Sequence, residues 1–279
     1  MTRGRDFRQV DVFSAEPYLG NPVAVVLDGD GLDDDAMRRF AAWTNLSETT
    51  FVVPPSSPGA DYGLRIFTPS GELPFAGHPT LGSAHAWLEA GGSPASADLV
   101  VQECPIGLVE LRRTGGGLAF AAPELRRTGP LEDEVLGRVV AALGVAAEDV
   151  VAHQWVDNGP GWAAVRLPSA RHVLDLDPDD ELMRDLMVGV VGDHEDGGGH
   201  RYEVRAFALP AGVREDPVTG SLNAGLAQWL TGAGEAPASY TVSQGTRLGR
   251  RGVVRIEAVD GRVWVGGASV TCIRGTVDL

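Results

Sequence analysis

The sequence predicts an α+β fold of two pseudo-symmetric halves, each a curled, mostly antiparallel sheet around a central helix. Three observations predict it. Short apolar strand-like runs recur along the whole chain, and 37 glycines supply turn signals between them. Two segments, 79–92 and 221–234, have a helical pattern yet are apolar almost all round, so each must be wrapped on most sides. The halves also repeat: Ala24-Val25-Val26-Leu27 recurs 140 positions later as Ala164-Val165-Arg166-Leu167, and Tyr62, Arg65 and Phe67 recur as Tyr202, Arg205 and Phe207. After each Tyr-x-x-Arg-x-Phe run come a loop, a glycine with a polar partner (Gly77-His78, Gly220-Ser221) and the apolar helix.

In chain order, 6–13 and 22–27 read as strands. Residues 33–44 read as a helix with acidic residues in its first turn, where they favour the dipole. Strands follow at 49–53 and 62–68, then the helix 79–92, with Pro79 near its start and glycines at its end. Strands at 98–103, 106–112 and 117–121 close the first half, and APELRRTGP (122–130) reads as a linker. The second half opens on a helix at 131–143, with strands near 149–156 and 161–167, a helix near 179–187 and a polar loop at 192–200. A strand at 202–209, the helix 221–234 and four strand-like runs complete it. The predicted halves are 1–124 and 125–279, with the last strand able to return to the first half. Two such units leave a cleft between them, a common place for a ligand.

Composition excludes several classes. Net charge is −15, which argues against a nucleic-acid or anionic-membrane partner, since phosphate binding rests on clustered cations. No apolar run approaches a membrane span, and MTRGRDFRQV lacks the apolar core of a signal peptide, so a cytoplasmic protein is expected. All 23 basic residues are arginine. Without lysine there is neither a pyridoxal-phosphate Schiff base nor a P-loop. Cys104 and Cys272 form neither a CxxC nor a zinc set and read as buried, inert thiols. His194, Glu195, Asp196 and His200 could grip a metal, but no zinc spacing is met and the glycine-rich setting reads more simply as a flexible loop. Neither a pyridoxal-phosphate enzyme, nor a P-loop protein, nor a zinc site is expected.

Glu48, in NLSETTFV (45–52), is the only charged residue between Arg39 and Asp61. A carboxylate among apolar neighbours tends to have a raised pKa, which suits proton shuttling. Taken locally, a surface glutamate at a helix end is the better reading. Gly77 and Gly220-Ser221 mark helix starts, where free N–H groups and the dipole can hold a substrate carboxylate, although either alone also reads as an ordinary cap. His78, at the first helix entry, is a candidate proton carrier or orienter. Asp216, in REDPVTGS, reads as a turn-starting Asp-Pro or as a partner for an acid or base.

GNPVAVVLD (20–28), NLSETTFV (45–52), RIFTPSGELPFAGHPTLGSAH (65–85), EDPVTGSLNAGLA (215–227), SQG (243–245) and VGGASV (265–270) together resemble the PhzF-like family of phenazine-biosynthesis-type isomerases, from about residue 7 to the C-terminus. The resemblance implies the diaminopimelate-epimerase-like fold, with the active-site cleft between the halves. It places Glu48 on the family's catalytic acid/base, His78 and Asp216 on its polar partners, and Gly77, Gly220 and Ser221 on substrate-contacting positions. The wider superfamily works with two cysteines, one before each helix-start glycine. Here Ala76 and Thr219 stand there, which disfavours a two-thiol racemase. The implied activity is a cofactor-independent isomerisation of a small, unsaturated carboxylate, in which Glu48 moves a proton between carbons. The alternatives are a thiol-independent amino-acid epimerase or racemase of the same fold, and a non-catalytic small-molecule-binding homologue. Members of the family are often homodimers.

Overall fold

The computed structural model describes residues 3–195 and 199–279. The chain forms two compact units, Met1–Ala121 with Gly266–Leu279, and Ala122–Val265. Among the described residues no helix is long and apolar enough to cross a membrane.

The first unit contains β1 (Gly4–Val12), β2 (Asn21–Val26), α1 (Asp34–Thr44), β3 (Thr49–Val53), β4 (Tyr62–Thr68), β5 (Gly71–Leu73), α2 (Gly77–Glu89), β6 (Leu99–Cys104), β7 (Gly107–Thr114) and β8 (Gly117–Ala121). β1 pairs antiparallel with β2 and with the C-terminal strand Ser269–Asp278. β2 runs parallel to β3, β3 antiparallel to β4, and β4 parallel to β6 and antiparallel to β5. α1 starts because the Asp33 carboxylate accepts the Ala36 N–H at 2.7 Å, and it stops where Asn45 turns left-handed at φ 55°. Its apolar stripe of Met37, Phe40 and Ala41 packs on Val26, Phe51 and Phe67.

The second unit contains α3 (Asp133–Leu143), β9 (Ala152–Trp155), β10 (Trp162–Leu167), α4 (Ala170–Asp175), β11 (Met187–Asp193), β12 (Tyr202–Ala208), β13 (Val213–Asp216), α5 (Gly220–Gly232), β14 (Ser239–Gln244) and β15 (Gly252–Val259), with β16 (Arg262–Gly267) following. β10 runs parallel to β11, β11 antiparallel to β12, and β12 parallel to β14 and antiparallel to β13. This repeats the first unit strand for strand, with β10, β11, β12, β13 and β14 standing for β2 to β6. A core of Val139, Leu143, Trp155, Val165, Val173, Val188 and Phe207 fills the space beneath α3 and α4.

Each unit has one helix buried on nearly every side. In α2 the residues Gly77 to Ala84 are all buried, and in α5 Gly220 and Leu222 to Ala227 are. Each of these helices begins at its own glycine. Each also carries a glycine five residues further on: a Cβ at Gly82 would lie 2.4 Å from Val23 Cγ1, and one at Gly225 would lie 2.6 Å from the Val156 carbonyl. Close approach of the buried helix to a neighbouring segment, to β2 in the first unit and to the residue just past β9 in the second, is therefore built in at matching helix positions.

The predicted helix at 179–187 is not formed. Asp179 turns the chain with its carboxylate on the Glu181 N–H, the segment closes with a short Met183–Leu186 turn bond, and β11 takes over at Met187. Too few residues remain for a costly helix nucleus to be repaid. The helix of this region is instead α4, whose six residues are too short to show a period. Cys104 is buried but Cys272 is only partly so, and burial raises the pKa of both free thiols.

Candidate active site

In the first unit, three elements bring Glu48, His78 and Asn21 together. α1 ends at Thr44, and a short turn carries the chain to Glu48, whose carbonyl is tied to the Ala24 N–H of β2. Thr44 and Thr49 hydroxyls bond at 2.8 Å across that turn, so the residue between them is held on both flanks. Asn21 opens β2, and His78 is the second residue of α2. The imidazole Nε2 lies 3.3 Å from Glu48 Oε2, and Nδ1 lies 3.4 Å from Asn21 Nδ2. His78 is only 5% exposed. Burial pushes its pKa down to about 3, against a smaller opposing effect of a hydrogen bond to the Pro22 backbone. The ring is therefore neutral at neutral pH. It can donate or accept one proton at Glu48 but cannot supply a positive charge to it.

Folding favours this neutral imidazole over the unfolded one, whose pKa is 6.5. The contribution to stability is complete above pH 6.5 and is lost as pH falls from 6.5 toward 3. Between pH 6.5 and 5 the urea-unfolding free energy is expected to fall by up to about 1.4 kcal/mol per pH unit from this one group. His78→Asn is expected to lack that share of the slope. Equal slopes in the two proteins would show that the ring is not held neutral.

In the second unit, Asp216 is the last residue of β13 and Gly220-Ser221 open α5. Thr219 Oγ1 donates to Asp216 Oδ2 at 2.5 Å. Trp162 Nε1 donates to Ser221 Oγ at 3.0 Å, and Asn158 Nδ2 donates to the Ser221 carbonyl at 2.8 Å. Gln244 bonds to Thr219, Asn223 and the Asp216 carbonyl. Neither α2 nor α5 has a side-chain cap at its start. Their first-turn N–H groups and positive dipole ends are the features that attract a carboxylate.

The residues singled out in the sequence thus fall into two groups. Gly77, His78 and Glu48 belong to the first unit, and Asp216, Gly220 and Ser221 to the second. Sequence reasoning did not pick out Asn21, Thr219, Gln244 and Asn158 as site residues, although Asn21 lies in GNPVAVVLD and Gln244 in SQG. The signal that could have found Asn21 and Gln244 is a side-chain amide beside strand-forming residues, because a buried amide must have partners.

His194 Nε2 is 3.0 Å from Ser243 Oγ, and His200 Nδ1 is 3.0 Å from Thr241 Oγ1. Asp196 lies outside the described residues. Among the described residues no group of His, Cys, Asp and Glu could hold a metal ion.

The chain matches the family of phenazine biosynthesis-like proteins over residues 10–275. It is 35% identical to trans-2,3-dihydro-3-hydroxyanthranilate isomerase of Pseudomonas fluorescens, over 97% of this chain and 98% of that one. It is 38% identical to antisense-enhancing sequence 1 of Schizosaccharomyces pombe, over 96% of this chain and 97% of that one. Among solved structures it is similar to a phenazine biosynthesis protein of the PhzF family from Enterococcus faecalis, with a TM-score of 0.82 and 25% identity over 99% of this chain and 100% of that one.

Proposed function

The chain belongs to the phenazine biosynthesis-like (PhzF) family and is an isomerase, and from that premise we propose that it moves a proton between carbons of a small, unsaturated carboxylate without a cofactor. The contact that carries this reading is Glu48 Oε2 at 3.3 Å from a buried, neutral His78. Glu48 takes a proton from carbon, and the charge left behind spreads through the conjugated system toward the carboxylate. The protonated Glu48 then returns the proton at another carbon. Positioned acid/base groups of this kind contribute about 10²–10⁴-fold. His78 orients Glu48 and, being neutral, adds no charge to it. Gly77, Gly220 and Ser221 belong to helix starts with uncapped N–H groups, which suit them to the substrate carboxylate and to the negative charge that develops on it. Asp216 is a second polar partner. The absence of lysine from the sequence supports a route with no Schiff base.

The test is turnover in deuterated water. The first substrate is trans-2,3-dihydro-3-hydroxyanthranilate, which the Pseudomonas relative's name specifies, followed by a panel of conjugated carboxylates. An isomerised product with deuterium at the carbon that received the proton is the expected result. An isomerised product without deuterium means that Glu48 returned the same proton before it exchanged with solvent; isomerisation that continues unchanged in Glu48→Gln would sink the proposal. So would inversion at one carbon with every double bond in place.

A further inference from the structure

The SQG run (243–245) has no part in the proton transfer, yet its middle residue is tied to the start of α5. Gln244 is 1% exposed, and its amide makes four hydrogen bonds. Oε1 accepts from the Thr219 N–H at 3.0 Å and from Asn223 Nδ2 at 2.8 Å. Nε2 donates to the Asp216 carbonyl at 3.2 Å and to Thr219 Oγ1 at 2.9 Å. A backbone N–H can only donate and a backbone carbonyl can only accept. Thr219 N–H and Asp216 C=O therefore fix which end of the amide is oxygen and which is nitrogen, with no freedom to flip.

One consequence reaches Asp216. Because Nε2 can only donate, Thr219 Oγ1 accepts from it, and the hydroxyl's own proton must point elsewhere. It points at Asp216 Oδ2, 2.5 Å away. Thr219 sits at the N-cap of α5, where a threonine oxygen usually accepts a helix N–H. Here no such cap bond exists. The hydroxyl has been diverted from capping the helix to the carboxylate.

The strand end that carries Gln244 is itself clamped. Ser243 and Thr246, on either side, both donate hydroxyls to the buried Glu203, the latter at 2.7 Å. Gly245 has φ 90°, and a Cβ there would lie 2.6 Å from the Pro217 carbonyl. Neighbouring strand residues face opposite sides, so the Glu203 clamp leaves Gln244 aimed at the start of α5.

We propose that Gln244 is a positioning residue which, by orienting the Thr219 hydroxyl, holds Asp216 in one rotamer as a hydrogen-bond acceptor at the start of α5. This rests on the reading of Asp216 as a working carboxylate. With all four hydrogen-bonding positions of its amide filled, Gln244 does not itself touch substrate.

The experiment is a ¹³C-carboxyl NMR titration of Asp216, its signal assigned by difference against Asp216→Asn. It needs no substrate, so its failure is separate from failure of the isomerase assay. Thr219→Val keeps the side-chain shape but removes the hydroxyl. It is expected to raise the Asp216 pKa by about one unit, a tenfold shift in its protonation equilibrium, because the ionised form loses a donor. Thr219→Ser restores the hydroxyl and is expected to restore the wild-type titration. Gln244→Met, which frees the hydroxyl to turn back to the helix, is expected to move the titration in the same direction as Thr219→Val. An Asp216 titration in Thr219→Val that matches the wild type, or a Thr219→Ser that titrates like Thr219→Val, would overturn the proposal. A folded Gln244→Met that titrates like the wild type would overturn it too, and the threonine variants, which keep the other bonds of Gln244, can overturn it even if Gln244→Met does not fold.

Discussion

Glu48→Gln is expected to lower kcat by about 10²–10⁴-fold while leaving the folded structure intact. The substitution is nearly isosteric. The glutamine amide can still meet the His78 ring, which lies 3.3 Å from Glu48 Oε2, so binding geometry is kept and only the proton-transfer capacity is lost. The Glu48 side chain is 15% exposed, and its backbone is anchored independently by the bond between its carbonyl and the Ala24 N–H. Stability should therefore change by less than about 1 kcal/mol, within the range of substitutions that leave no buried group orphaned. The measurement pairs steady-state kinetics on whichever conjugated carboxylate turns over with a thermal melt of the same preparation. A kcat within about fivefold of wild type would remove Glu48 from the proton path. A fall in KM together with kcat would instead point to relief of ground-state strain.

Much of this arrangement could be read before the fold was known. The 140-residue offset between Tyr62-x-x-Arg65-x-Phe67 and Tyr202-x-x-Arg205-x-Phe207 located two related strands, and the structure gives both the same neighbours: β4 and β12 each have antiparallel and parallel partner strands in the same order. The two all-round apolar helices were legible because burial on every side leaves no polar face. What stayed hidden was partnership across distance. Asn21 meets His78 57 positions away, and Gln244 meets Thr219 25 positions away. Neither pairing has a periodic signature, since a strand-to-helix contact depends on packing rather than on spacing. The helix expected at 179–187 failed for a local reason, because strand pairing of β11 claimed its last residue and a turn satisfied the rest. Asp216 was ambiguous from the Asp-Pro dipeptide alone. Its placement at the end of β13 comes only from the sheet.

Glu215→Leu is expected to cost about 3–5 kcal/mol, whereas Glu72→Leu, the same change at the matching place in the first unit, should cost under about 1 kcal/mol. The two glutamates do the same job in the repeat. Arg65 Nε and Nη2 grip Glu72 at 2.8 and 2.7 Å, and Arg205 Nε and Nη2 grip Glu215 at 3.0 and 2.8 Å. Each guanidinium also lies over the phenylalanine two residues on, 5.1 Å from Phe67 and 4.9 Å from Phe207. Burial is what separates them. The side chains of Arg65 and Glu72 are 27% and 31% exposed, those of Arg205 and Glu215 only 4% and 5%. Arg65 also has Asp34 at 2.7 Å to take up its charge, whereas Arg205 Nη1 donates to the carbonyls of Val173 and Leu176. Removing Glu215 leaves a buried cation facing neutral acceptors, and water cannot reach it to compensate. In a melt the Glu215→Leu midpoint should drop by roughly 6–20 °C, on the scale of about 2–4 °C per kcal/mol. The Arg205→Met/Glu215→Leu pair, which removes both charges, should recover much of that loss. A Glu215→Leu midpoint within about 2 °C of wild type, or a double variant no better than the single, would show that the buried arginine does not depend on this partner. Glu215 immediately precedes Asp216 on β13, so the same clamp holds the strand that delivers the second carboxylate. Partial loss of turnover in whatever fraction of Glu215→Leu remains folded is the functional face of the same prediction.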